Sequence, residues 1–355
     1  MRPAPCQGSR AARQDDPSGG LRRPVIRLGR TSVWPGIVLT AGVFVVCLLM
    51  SLAFGPASLP LARIWHLVTA GPVAGDLDSA IFWQIRLPRA LLACLVGAEL
   101  AVAGVIMQDL FLNPLTDPYV TGVSSGAALG ATLGIVLHVA QFPWMTVLAL
   151  AGGFATLGIV WMAARRRGRV NIFILLLAGV TVSYLASAVV TFLMIKAGDD
   201  MHAIVYWLMG SFSGRGWTEV ELALLAVPLM LIPLFRTREM DILLQGEKRA
   251  LELGVEVERT KRLLLVTAGV LTAIAVSVSG IIGFVGLVVP HIVRLLVGPG
   301  HRGLLPVSLL FGAAMLNVAD LMSRTLLMPN EIPVGVVTTF VGAPLFVYLL
   351  RRGKA

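Results

Sequence analysis

The chain is poor in cysteine and in charge, and these shortages exclude several classes of protein. Its 355 residues include three cysteines, Cys6, Cys47 and Cys94. No two of them form a CxxC pair, so the sequence predicts neither a disulfide framework nor a metal site. Charged residues make up 14% of the chain and hydrophobic residues 57%, with a mean hydropathy of +0.85. This balance excludes an ordinary soluble domain.

The sequence also lacks the motifs of common hydrolytic enzymes. It contains no GxxxxGK[ST] phosphate-binding loop, so the chain does not hydrolyse nucleotide by that route. It contains no HExxH motif of zinc proteases, and its one match to the GxSxG motif of serine hydrolases, Gly122–Gly126, lies inside a hydrophobic run and not at a plausible catalytic site. We therefore expect a protein that is not an enzyme, with no catalytic residue and no cofactor of its own.

Acidic residues are scarce inside the hydrophobic runs. The main candidates are Glu99, Asp109 and Asp320, of which only Glu99 is far from the end of a run. Because carriers driven by an ion gradient usually use ionisable groups within the membrane, this scarcity argues against ion coupling. An ion-coupled secondary transporter remains the alternative function, and a membrane anchor without transport is a third.

Long apolar runs dominate the rest of the sequence. Runs of about 18 or more residues recur, and each can cross ~30 Å of hydrocarbon as a helix. They predict an all-α, polytopic membrane protein with about ten transmembrane helices. The predicted spans are 33–54, 90–111, 119–140, 144–164, 172–195, 219–235, 263–281, 283–297, 304–322 and 334–350.

The positive charges orient these spans. With the N-terminus inside, 23 of the 29 Lys and Arg residues fall on the inner face. Positive residues in short loops resist translocation, so this asymmetry predicts that both termini are cytoplasmic. The net charge of +10 follows from this topology, and no nucleic-acid-binding motif accompanies it. We predict a basic, disordered cytoplasmic tail over 1–32 and a permease domain over 33–355.

Two patterns of small residues suggest how the helices pack. Four glycines spaced by four predict a groove that a neighbouring helix can approach closely; they are Gly122, Gly126, Gly130 and Gly134. A weak repeat also relates Gly104 and Pro114 to Gly280 and Pro290, at an offset of 176 residues. The predicted topology gives its two copies opposite directions, as in transporters with inverted repeats.

The inner loop 236–262 is the most polar internal segment. Leu243, Ala250, Leu251 and Leu253 alternate with charges in a helical rhythm, and Gly254 is placed to end the helix. Its charges have both signs, whereas a helix that lies on lipid is usually more purely basic. The pattern therefore predicts a short amphipathic helix that docks another protein.

Several segments, in this order, resemble the FecCD-type permeases, the membrane subunits of ABC importers for iron-siderophores, haem and vitamin B12. They are Arg86–Arg89 (RLPR), Asn113–Pro118 (NPLTDP), Gly122–Ala127 (GVSSGA), Leu175–Val180 (LLLAGV), Trp207–Ser211 (WLMGS), Gly280–His291 and Pro333–Pro344. One departure is Gly300, where relatives often have Asp.

The resemblance implies a complex in the bacterial inner membrane. It implies a homodimer, surrounded by membrane lipid, with the pathway at the subunit interface. Two ATPase subunits that use ATP and Mg would dock inside, and a periplasmic or lipid-anchored binding protein would dock outside. The implied cargo is a metal chelate: a ferric siderophore is the first expectation, and haem or a corrinoid such as vitamin B12 stays open. Nucleic acid is not an expected partner.

The resemblance also implies roles for particular residues, each with a simpler alternative. It assigns docking of the binding protein to Arg86, Arg89 and Arg324. These arginines could instead reach lipid phosphates or pair with Asp320 and Glu331. It assigns the inner gate of the pathway to Asn113, Leu115, Asn171 and Ile172. These residues could instead serve only to end one helix and begin another. It assigns coupling to the ATPase to Glu247, Arg249, Ala250, Leu253 and Gly254. These residues could instead form a solvated loop.

Overall fold

The computed structural model describes residues 33–56, 59–139, 143–166 and 169–351. The predicted tail 1–32 lies outside these ranges. The described helices are α1 Trp34–Ala53, α2 Leu61–Ala70, α3 Leu77–Ala80, α4 Leu87–Leu110, α5 Val123–Val136, α6 Trp144–Ala164, α7 Ile172–Lys196, α8 Met201–Leu208, α9 Trp217–Leu224, α10 Val227–Phe235, α11 Thr237–Leu243, α12 Glu247–Glu252, α13 Val257–Ser279, α14 Val285–Val297, α15 His301–Thr325 and α16 Val334–Arg351. Two-residue strands, β1 Arg165–Arg166 and β2 Arg169–Val170, pair antiparallel between α6 and α7.

The ten predicted spans all correspond to apolar helices, in the predicted order. Within the described residues, seven helical stretches are long and apolar enough to cross a membrane. Three shorter apolar helices, α5, α14 and α16, complete the set. The predicted all-α, multi-span fold is therefore confirmed. Some boundaries differ: a π-helical segment, Ile81–Arg86, joins α3 to α4, and α13 begins at Val257 instead of 263.

Helix α4 lies at the centre of the bundle. Its side chains are almost all buried, among them Leu92, Leu100 and Ile106. It packs against α13, α14 and α15, and its glycines allow backbone contact. A Cβ atom on Gly104 would lie 1.9 Å from the carbonyl oxygen of Gly286 in α14. Helices approach this closely only where a residue has no side chain.

The predicted glycine groove packs α5 against α6. A Cβ atom on Gly130 would lie 2.0 Å from the carbonyl oxygen of Leu148. At Gly126 it would lie 2.1 Å from the hydroxyl oxygen of Thr156. The groove at these two glycines therefore serves helix packing.

The chain is not helical between the end of α13 and the start of α14. Gly280 and Phe284 have φ angles of 72° and 69°, in the left-handed region. The Tyr119 hydroxyl donates to the Ile282 carbonyl oxygen at 2.8 Å and accepts from the Ile282 N–H at 3.2 Å. Gly280 thus ends a helix, whereas Gly104 lies inside one. The inverted repeat that relates them stays a prediction.

The inner loop 236–262 folds into more structure than the one helix predicted there. Helices α11 and α12 are separated at Gly246, whose φ angle is 103°. Gly254 follows α12 with a φ angle of 80°, a conformation that favours glycine, and it stops the helix as predicted. Ala250 is fully buried against Val255, so α12 folds back onto the start of α13.

Candidate functional site

The outer ends of α4 and α15 bring Arg86, Arg89 and Arg324 together. Arg89 donates from Nη2 and Nε to Oδ1 of Asp320, at 2.9 and 3.0 Å. Its Nη1 donates to Oε1 of Glu331 at 2.9 Å. The side chains of Arg89 and Asp320 are 7% and 0% exposed. The structure therefore shows the simpler alternative for Arg89, pairing within the chain.

Glu331 lies in the loop between α15 and α16, and its pairing with Arg89 changes the pKa of its carboxyl group. Burial alone would raise the pKa of its carboxyl group. The hydrogen bond and the positive charge of Arg89 outweigh burial and hold that pKa below its ordinary value. The carboxyl group of Glu331 is therefore ionised at neutral pH, where it pairs with Arg89.

Arg86 and Arg324 are buried beneath the end of α1. Arg86 donates from Nη1 to the carbonyl oxygens of Leu52 and Ala53, at 2.8 and 2.9 Å. Arg324 donates from Nη2 to the backbone and side-chain oxygens of Ser51, at 2.5 and 2.8 Å. The two arginines are 4% and 5% exposed. The end of α1 thus covers Arg86 and Arg324, and Arg89 is held by Asp320 and Glu331. The docking role of the three arginines stays a prediction.

The three arginines differ in their electrostatic partners. Arg89 has two carboxylates, and Arg324 lies 3.5 Å from Asp320. Arg86 has no carboxylate within 4.0 Å among the described residues, and its bonds go to neutral carbonyl groups. A carboxylate of a partner protein that reached this cluster would therefore form its strongest new ion pair with Arg86.

Two of the predicted gate residues hold backbone turns. The side-chain oxygen of Asn113 accepts from the Leu115 N–H at 2.9 Å in the turn after α4. The side-chain oxygen of Asn171 caps α7 by accepting from the Ile174 N–H at 3.1 Å. Leu115 remains 44% exposed. Ile172 lines a cavity of about 210 Å³ together with Leu112, so these two turns face a common space.

The predicted coupling residues divide into an anchor and an exposed face. Ala250 is fully buried, and Glu247 forms an ion pair with Lys261 of α13. Leu251 and Leu253 are 62% and 58% exposed, and Arg249 and Gly254 are exposed as well. The two leucines stand two residues apart, so their exposed side chains are available to a partner protein.

The sequence analysis missed a charged cluster at the inner ends of four helices. His301, which begins α15, is fully buried between Asp109 of α4 and Asp241 of α11. Arg294 of α14 donates to Asp109 at 2.8 Å. Asp109 stands near a span end and His301 follows the unusual Gly300, but no spacing along the chain connects them.

Comparison with known proteins agrees with this architecture. The model of the FecCD transport family matches residues 43–352. The chain belongs to the FecCD transport family. It is therefore a membrane-embedded permease of the ABC importer class, and its role is transport instead of catalysis.

Named relatives match this FecCD chain over most of their length. A cobalamin import permease, BtuC of Halobacterium salinarum, is 48% identical over 78% of this chain and 74% of its own. The haemin permease HmuU of Yersinia pestis is 40% identical over 88% and 95%. The ferric dicitrate permease FecD of Escherichia coli is 41% identical over 86% and 95%.

A solved structure is similar as well. It is described as an inward-facing conformation of a metal-chelate type ABC transporter, and it matches with a TM-score of 0.80 and 33% identity. The match covers 89% of this chain and 98% of the other. The family, the fold and the transport role predicted from the sequence are thereby confirmed.

Proposed function

We propose that this FecCD permease carries a metal chelate across the bacterial inner membrane. The observation that supports this most is the family match over 43–352, because its named relatives import cobalamin, haemin and ferric dicitrate. These cargoes share a metal held in an organic ligand. The 48% identity to a cobalamin permease favours a corrinoid over the ferric siderophore expected from the sequence.

The cargo can be assigned through the partner binding protein. Calorimetric titration of that protein with cobalamin, haemin and a ferric siderophore should give tight binding for the corrinoid and weak binding for the others. Tight binding of a ferric siderophore would restore the first expectation. The failure of all three would remove the metal-chelate assignment.

The complex is a homodimer in this proposal, with both termini cytoplasmic and membrane lipid around it. Helix α7 supports the dimer: Phe173, Tyr184 and Ile195 are 71%, 76% and 77% exposed. A second copy can cover part of this apolar face, and the cargo pathway would run between the copies.

Two ATPase subunits supply energy from ATP and Mg, and a periplasmic or lipid-anchored binding protein delivers the chelate. Asn113, Leu115, Asn171 and Ile172 narrow the inner end of the pathway.

We propose that Glu247–Gly254 is the surface that the ATPase binds. Leu253→Asp places a charge on the exposed leucine, so it should weaken this contact without disturbing the buried Ala250. We expect co-purification of the ATPase with the permease to fall by about tenfold, a loss of about 1.4 kcal/mol. Leu244→Asp is the matched control, since Leu244 is 37% exposed in the same loop but outside the segment. Equal recovery of the ATPase with both variants would remove this assignment.

We propose that Arg86 receives an acidic side chain of the binding protein when the cover formed by the end of α1 shifts. Arg86→Gln removes the charge and keeps a hydrogen-bond donor for the carbonyl groups of Leu52 and Ala53. We expect docking to weaken by about tenfold and to lose part of its salt dependence, because salt screens the attraction between Arg86 and an acidic side chain. The measurement is surface plasmon resonance of the binding protein on the reconstituted permease at two salt concentrations.

Arg63→Gln is the control for the docking experiment. Arg63 is also on the outer face, but it already pairs with Asp76 and Asp78 and, unlike Arg86, does not lack a carboxylate partner, so docking should change little. If Arg86→Gln docks with the affinity and salt dependence of the unmodified protein, Arg86 serves only to hold α1.

A further inference from the structure

His301 has two carboxylate partners, one at each ring nitrogen. Nε2 lies 2.5 Å from Oδ2 of Asp109, and Nδ1 lies 2.6 Å from Oδ1 of Asp241. The backbone N–H of His301 also donates to Oδ1 of Asp241 at 3.1 Å. The ring of His301 thus bridges the two carboxyl groups, with one ring nitrogen on each.

Arg294 of α14 completes the cluster. Arg294 donates from Nη2 to Oδ1 of Asp109 at 2.8 Å and from Nη1 to Oε1 of Gln108 at 2.5 Å. Asp109 therefore contacts both Arg294 and His301, and His301 also contacts Asp241. The cluster joins the inner ends of α4, α14 and α15 to α11.

On one side, this cluster holds the turn that carries the proposed gate. The backbone carbonyl oxygens of Gln108 and Asp109 accept from the N–H groups of Asn113 and Leu112, at 3.0 and 3.2 Å. Asn113 then bonds Leu115 through its side chain. A displacement of Asp109 thus moves the turn directly, because no flexible linker separates them.

On the other side, the cluster holds the proposed coupling segment. Asp241 lies on α11, six residues before Glu247. Ile242 and Leu243 of α11 pack against the small core around the buried Ala250 of α12. Helices α11 and α12 therefore form one packed unit, and Asp241 is its contact with His301.

There is room for this unit to move. The cavity of about 210 Å³ lies between the two sides. Leu112 and Ile172 line it on the side of the gate turn, and Leu243 of α11 and Glu247 of α12 line it on the other side. Close-packed interiors resist displacement, so a cavity at this junction lowers the resistance to a shift of α11.

We propose that His301, bridging Asp241 and Asp109, is the positioning residue that transmits movement of the coupling segment to the inner gate. The inference rests on the proposed roles of Glu247–Gly254 and of the gate turn. ATP-driven movement of α12 pulls Asp241, the ring of His301 carries this displacement to Asp109, and the turn after α4 follows.

The test uses the full complex with its ATPase and binding protein in proteoliposomes. Asp241→Ala cuts the bridge, so the cargo transported per ATP hydrolysed should fall by about fivefold or more, while ATP hydrolysis continues. Asp241→Asn keeps an oxygen that accepts from His301 and should retain more coupling than Asp241→Ala. Glu239→Ala is the matched control: it removes a carboxylate from the same helix, one that pairs with Arg236 outside the cluster, and coupling should stay unchanged.

A second readout separates transmission from a purely structural role. Leu115→Cys, in a background without the native cysteines, reports the gate through its rate of labelling by a water-soluble maleimide. ATP with vanadate should change this rate in the parent protein and leave it unchanged with Asp241→Ala. A normal transport ratio and a normal change in labelling with Asp241→Ala would overturn the proposal, as would loss of the assembled complex in that variant. If Leu253→Asp also leaves ATPase binding and transport intact, the coupling assignment itself fails.

Discussion

Arg89→Gln should destabilise the protein by about 3–5 kcal/mol, because it leaves a buried carboxylate without its main partner. Asp320 is fully buried and accepts three hydrogen bonds from Arg89, two of them from the same Nε–H. Arg324 is its other cation, and the nearest atoms lie 3.5 Å apart. Glutamine cannot replace the charge. The measurement is the free energy of unfolding in detergent, from denaturant titration.

Two variants control this prediction. Arg89→Gln combined with Asp320→Asn removes both charges, so part of the loss should be recovered in a double-mutant cycle. Arg63→Gln removes an arginine from a half-exposed pair and should cost less than about 1 kcal/mol. A cost below 1 kcal/mol for Arg89→Gln would mean that the pair contributes little to folding, and docking would then be the stronger explanation for this arginine.

Gly104→Ala should destabilise the bundle by about 3 kcal/mol or more, because the added methyl group overpacks a helix crossing. Its Cβ atom would lie 1.9 Å from the Gly286 carbonyl oxygen and 2.9 Å from the Gly286 Cα atom. Backbone atoms cannot rotate away, so α4 and α14 must separate. Folded yield and the apparent melting temperature in detergent both measure this effect.

Gly158→Ala is the control for Gly104→Ala. Gly158 lies inside α6, and a Cβ atom there would meet no heavy atom within 4 Å. Alanine has a higher helix propensity than glycine, so this change should be neutral or stabilise by up to about 1 kcal/mol. Similar effects of the two substitutions would show that the crossing at Gly104 is looser than the structure indicates.

The membrane spans could be predicted because hydropathy and charge are local properties of the chain. Each apolar run predicts a helix by itself, and the positions of Lys and Arg orient the runs. The span that contains α5 is shorter than predicted, because residues 119–121 belong to a 3₁₀ turn and Gly122 adopts a φ angle of 79°. A hydropathy average does not distinguish such a turn from the helix that follows it.

The environment of the charged residues could be predicted only in part. The pairing of Arg89 with Asp320 and Glu331 is one of the two arrangements that the sequence allows, since all three lie at outer span ends. The burial of Arg86 could not be predicted, because it depends on where the end of α1 comes to lie. His301 was missed for the same reason: its partners are 192 and 60 residues away in sequence.

The central claim, ATP-driven import by this permease with its partners, is tested most directly by uptake into proteoliposomes. The permease is reconstituted with its ATPase, ATP is enclosed inside, and loaded binding protein is added outside with radiolabelled cobalamin. We expect uptake that requires ATP, Mg and the binding protein together, and that ionophores for protons and sodium do not reduce. Uptake that proceeds without ATP and stops when the ion gradient is collapsed would contradict this account and favour an ion-coupled secondary transporter.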